Sequence, residues 1–125
     1  MTRKVVPPGR PVPGMSAAVQ AAGLIYVAGQ VATDADGAVV GEGDYRAQAI
    51  QCFKNVEQIL AEMGARLTDV IQVTGYLADA AYASEYLAVR GEVFPVDPPA
   101  TTTVVAALLL PKLLVEVQVV AALPA

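Results

Sequence analysis

Asp44-Tyr45-Arg46-Ala47-Gln48-Ala49-Ile50-Gln51-Cys52-Phe53-Lys54-Asn55-Val56-Glu57-Gln58-Ile59-Leu60-Ala61-Glu62-Met63-Gly64 carries the strongest structural signal in the chain. Ala49, Phe53, Val56, Leu60 and Met63 recur at the three- and four-residue spacing that lines one face of an α-helix. Asp44 is placed to cap the first turn, and Gly64 to stop the helix. On the N-terminal side, Leu24-Ile25-Tyr26-Val27-Ala28 is a short apolar run between Gly23 and Gly29, which reads as a buried strand. Between run and helix, Asp34-Ala35-Asp36-Gly37 is a turn signal, Val39-Val40 a brief strand, and Gly41-Glu42-Gly43 a plain turn. Gly41-Glu42-Gly43 lacks the third glycine of a dinucleotide fingerprint, because Arg46 stands there.

Further outward, Val70 to Leu77 reads as a strand, and Ala80 to Phe94 as a second helix ended by Pro95. Tyr82, Tyr86, Val89 and Val93 share a face of that helix. After Pro98-Pro99 two more strands are expected, Ala100 to Ala107 and Leu113 to Ala121. Residues 7–14 are dense in Pro and Gly and read as an arm or loop, with regular structure beginning after them. The order strand, strand, helix, strand, helix, strand, strand predicts one mixed sheet with both helices on a single face, an α+β layer pair.

The 125 residues fit one domain spanning 1–125. Apolar residues make up 55% of the chain and charged residues 16%, an excess that points to apolar surface buried against copies of itself. Eight Lys and Arg against twelve Asp and Glu give a net charge of −4 with no basic run, which argues against nucleic-acid binding. No apolar h-region follows Arg3 and Lys4, so no signal peptide is read and cytoplasmic residence is expected. The apolar stretch Val104 to Leu110 is too short to span a membrane and reads as buried strand. The chain has no His and one Cys, Cys52, which rules out Ser-His-Asp and Cys-His nucleophile systems, His-ligated zinc, cysteine zinc clusters and internal disulfides. Cys52, beside Phe53 in the first helix, reads as a small core residue.

Strand alternation from Leu113 to Val120 sets Val115, Val117 and Val119 on one face, and Leu114, Glu116, Gln118 and Val120 on the other. Either Glu116 and Gln118 are a solvated pair on a half-buried sheet, or Glu116 is a carboxylate held at a cleft, able to position water or move a proton. Thr101-Thr102-Thr103 offers hydroxyls on both sides of its strand, although threonine also serves β-propensity.

The order and spacing of segments from about Pro13 to Ala122 resemble the RidA/YjgF family. The matching pieces are Pro13-Gly14 and Gly23 to Gln30, then Gln48 to Gly64 and Val70 to Leu77, and finally Phe94-Pro95-Val96-Asp97-Pro98-Pro99-Ala100 and Leu110-Pro111-Lys112 to Glu116-Val117. The resemblance implies a chorismate-mutase-like fold and a homotrimer whose sheets pack into a central barrel, with small-molecule clefts between subunits. It also implies hydrolysis of reactive imines and enamines without metal or organic cofactor. The family glutamate that holds the hydrolytic water matches Glu116. The arginine that clamps the substrate carboxylate after Pro-Pro-Ala is here Thr101, and bidentate guanidinium recognition is lost with it. The family tyrosine of Gly-Pro-Tyr-Ser corresponds to Met15 and the serine before Gly29 to Ala28. The asparagine of the second helix corresponds to Leu87 or, with a one-residue gap, Tyr86. Expected site residues are therefore Glu116 for catalysis, with Met15, Gly29, Leu87, Thr101 and Thr103 binding substrate. Arg90 and Lys112 are candidate replacements for the arginine. The substrate expected is a small imine, enamine or related labile metabolite less anionic than a 2-imino acid; the alternative is a non-catalytic trimer that binds a metabolite or a protein.

Overall fold

In a computed structural model, which describes residues 2–124, the 44–64 signal is realised as α1, Tyr45–Glu62. The Asp44 carboxylate accepts a hydrogen bond from the Ala47 amide at 3.0 Å, and Gly64 leaves the helix at φ +76°. Six strands, β1 (Lys4–Val6), β2 (Ala18–Ala21), β3 (Leu24–Val31), β4 (Val70–Leu77), β5 (Ala100–Val105) and β6 (Val115–Ala122), form one sheet in the order β1-β2-β3-β6-β4-β5. All neighbours are antiparallel except β4 and β5, whose parallel pairing is bridged by α2 (Ala83–Val93) after a 3-10 turn at Ala80–Tyr82. A parallel pair needs such a crossover.

The expected α+β arrangement is present. α1 packs on β3 and β6, with α2 beside it. Ile25, Val27, Val73, Leu77, Val115, Val117 and Val119 point from the sheet into a core with Phe53, Val56, Leu60, Tyr86 and Val89. Cys52 lies in that core as a buried thiol. None of the described helices is long and apolar enough to cross a membrane.

Four expectations change. Regular structure starts before the Pro-Gly arm, because Lys4–Val6 pairs with Ala18–Ala21 at the sheet edge. A three-residue edge strand and its four-residue neighbour leave too short a period to read. Val39 makes only an isolated bridge to Thr33. The last two strands are Ala100–Val105 and Val115–Ala122 rather than Ala100 to Ala107 and Leu113 to Ala121. Finally, Val104 to Leu110 is no buried strand: β5 is an exposed edge, the chain leaves the ladder after Ala106 donates to the Leu77 carbonyl, and Leu109 is 96% exposed. Apolar composition there marks surface, not core.

Candidate active site

β6 buries Val115, Val117, Val119 and Ala121 against the helices, so strand alternation turns Glu116, Gln118 and Val120 to the opposite, uncovered face. β3 meets β6 through an irregularity: Val27 pairs with Val119, but the next pair is Gln30 with Val117, leaving an extra residue in β3. Gly29 sits in that bulge, and a Cβ placed on it would collide with the Glu116 carboxylate. The carboxylate therefore lies directly over the Gly29 backbone.

Across β6, Tyr76 of β4 stands opposite Glu116 in register. Its hydroxyl donates to Gln118 Oε1 at 2.9 Å. Gly29, Tyr76, Glu116 and Gln118 form one wall of an open cleft of about 350 Å³, and Ala106, Ala107, Leu108 and Leu109 the other. Glu116 is the one charged residue in this lining. Behind the wall the Cys52 thiol donates to the Val115 carbonyl at 3.6 Å; burial, and then the Glu116 charge, push it up to about 12.

The entry to β6 is held by Gln48. This wholly buried amide of α1 donates to the carbonyls of Gly41 (3.2 Å) and Lys112 (2.8 Å) and accepts from the Leu114 amide (2.8 Å). It was not among the expected site residues, yet its signal was present: a polar residue three after Tyr45 and four before Cys52 stands within the apolar stripe of α1. Tyr76 was also missed, since nothing in a lone strand marks which partner its side chain meets.

Of the expected site residues, the structure brings Glu116 and Gly29 together. The parallel register pairs Val73 with Thr101, Thr74 with Thr102 and Gly75 with Thr103. Because Val73 is core, Thr101 and Thr103 fall on the helix-facing side of β5, and Thr103 Oγ1 accepts from Arg90 Nη1 at 3.3 Å. Thr102 is the β5 hydroxyl on the Glu116 face. Met15 (41% exposed) and Leu87 (49% exposed) lie outside this cleft within one chain. Arg90 also stacks on the Tyr86 ring at 5.5 Å, and Lys112 Nζ is 3.5 Å from Glu42, so neither candidate cation lines the cleft. Among the described residues no group of three Cys, Asp or Glu side chains converges where a metal ion would fit.

A mixed six-stranded sheet with both helices on one face and a lone carboxylate over a bulge glycine on the other is the chorismate-mutase-like class of fold. Residues 9–123 match the family described as Endoribonuclease L-PSP, and the chain belongs to this family, the RidA/YjgF proteins. It is 32% identical over 112 residues to a RutC family protein of Pyrococcus abyssi, covering 90% of this chain and 88% of that one. A RutC family protein of Synechocystis is 33% identical over 99% of both chains. Among solved structures, yeast Mmf1 superposes with a TM-score of 0.91 at 29% identity, over 98% of this chain and 100% of its own. A YjgF/YER057c/UK114 family member from Mycobacterium tuberculosis superposes with a TM-score of 0.87 at 30% identity, again over 98% and 100%.

Proposed function

We propose that this chain hydrolyses a small, uncharged imine or enamine, releasing ammonia, in clefts completed by neighbouring copies in a homotrimer. One observation carries the reading: the Glu116 carboxylate is held over the Gly29 backbone at an open cleft whose lining has no cation. A carboxylate so placed serves as general base. Glu116 takes a proton from water as the water oxygen bonds to the C=N carbon and passes that proton to the nitrogen, giving a carbinolamine. Glu116 then takes the carbinolamine hydroxyl proton as the carbonyl forms and delivers it to the departing nitrogen, which leaves as ammonia. Within the lining that one chain supplies, a substrate carboxylate would meet the Glu116 charge with no cation to neutralise it, which disfavours 2-imino acids.

Met15 and Leu87 enter the site from a neighbouring copy, which the uncovered sheet face and the exposed Tyr26, Val104 and Leu109 support. Light scattering counts the copies. RNA cleavage is the weaker reading, because the chain is acidic, has no His, and offers the cleft no cation for a phosphate. The aliphatic wall Ala106–Leu109 favours a second reading, a trimer that only binds an apolar metabolite.

The deciding experiment is ammonia release from freshly generated imines and enamines, with and without a carboxylate, by wild type and Glu116→Ala. Acceleration of the uncharged substrates that Glu116→Ala abolishes supports the hydrolase. Inert wild-type protein throughout leaves the binding role.

A further inference from the structure

We infer that the Gln118 side-chain amide is the neutral anchor for substrate at this cleft, oriented by the Tyr76 hydroxyl, and that the substrate carries a carboxamide or similar uncharged carbonyl beside its C=N carbon. The inference rests on the hydrolase reading for the reaction, but its ligand-binding content stands alone. Gln118 and Glu116 project from the same face of β6, one pleat apart, and both line the cleft. Tyr76, opposite Glu116, reaches diagonally to donate to Gln118 Oε1 at 2.9 Å. An amide is planar, so fixing its oxygen fixes its nitrogen. Within one chain the Gln118 Nε2 hydrogens then have no partner among the described residues, which leaves them as donors toward the cleft.

The opposite orientation would turn the amide oxygen toward a cleft whose one charge is the Glu116 carboxylate, and electrostatics opposes it. Tyr76 thus acts as a positioning residue, and Gln118 supplies N–H donors where bound ligand needs them. Glu116 is an acceptor only and Gln118 the donor, so the matching ligand presents a polarised carbon for water near the first and a neutral acceptor oxygen to the second. A carboxylate also fits the donor sterically, but it brings a second negative charge beside Glu116. A carboxamide makes the hydrogen bond without that repulsion.

The test is calorimetric binding of two unreactive ketone probes, pyruvamide and pyruvate, to wild type, Gln118→Ala and Tyr76→Phe. Wild type binds pyruvamide the more tightly. Gln118→Ala weakens pyruvamide roughly five- to tenfold, the loss of one hydrogen bond, and erases the preference over pyruvate. Tyr76→Phe lowers the same preference, whereas a purely structural role would weaken both probes alike. The inference is overturned if pyruvate binds as well as pyruvamide, or if Gln118→Ala keeps wild-type pyruvamide affinity with an unchanged circular dichroism spectrum. Amide preference without ammonia release from any imine overturns only the hydrolase reading. Glu116-dependent turnover indifferent to Gln118→Ala overturns only the anchor.

Discussion

The Glu116 carboxylate occupies the space that a side chain at position 29 would need, so Gly29 and Glu116 form one unit across the β3–β6 bulge. The atom in the way is the end of a flexible side chain, not backbone. Gly29→Ala is therefore expected to fold with a stability change below about 1 kcal/mol while swinging the carboxylate off its seat. Ammonia release should fall by about 10²–10⁴, the usual contribution of a general base, matching Glu116→Ala. Undiminished activity in a well-folded Gly29→Ala protein would show that the carboxylate's position is immaterial.

The two faces of β5 make a paired prediction. Thr102→Arg places a guanidinium on the Glu116 face, where it should raise affinity for a 2-oxo acid by about tenfold or more through charge-assisted hydrogen bonding. Thr101→Arg directs the same group to the helix side beside Arg90 and Thr103, and should gain nothing. Calorimetry with pyruvate separates the two, and an equal gain from both would mean the β4–β5 register does not govern access.

Gln48 ties three separate backbone groups, at Gly41, Lys112 and Leu114, to the buried face of α1. Gln48→Leu strands the Lys112 carbonyl and the Leu114 amide, while the Gly41 carbonyl keeps the Asp44 amide as its donor. A loss of about 2–4 kcal/mol is expected, read as a lower urea midpoint, because buried orphaned polar groups keep their desolvation penalty. A variant as stable as wild type would mean these groups find water.

Cys52 predicts how stability changes in alkali. Its thiol rises from an unfolded value of 9.0 to about 12 in the fold, so the folded state holds the proton longer. That contribution is complete below pH 9 and is lost as pH climbs through 12, at about 1.4 kcal/mol per pH unit. Tyr45 and Tyr86, also raised by burial, act in the same direction above pH 10. Between pH 8 and 10.5, urea unfolding should show wild type losing about 2 kcal/mol more than Cys52→Ala. Parallel losses in the two proteins would assign the slope to other groups.

The sequence by itself determined the elements whose period is long or whose punctuation is strong. The stripe from Ala49 to Met63 with its Asp44 cap, the second helix ended by Pro95, and the alternation that put Glu116 and Gln118 on one face all depend on neighbours in the chain, and so could be read from it. The absence of His likewise limited the chemistry before any fold was known. Only the tertiary structure decided that Gly29 lies under Glu116, because a bulge is a mismatch between two strands and belongs to neither. It also decided that Thr102, rather than Thr101, shares Glu116's face: alternation says that they differ, but only pairing with Val73 and Thr74 says which is which. The run from Val104 to Leu110 shows the limit most plainly. Its composition called for burial, yet burial depends on what lies opposite, and an edge strand has no neighbour on one side within its own chain.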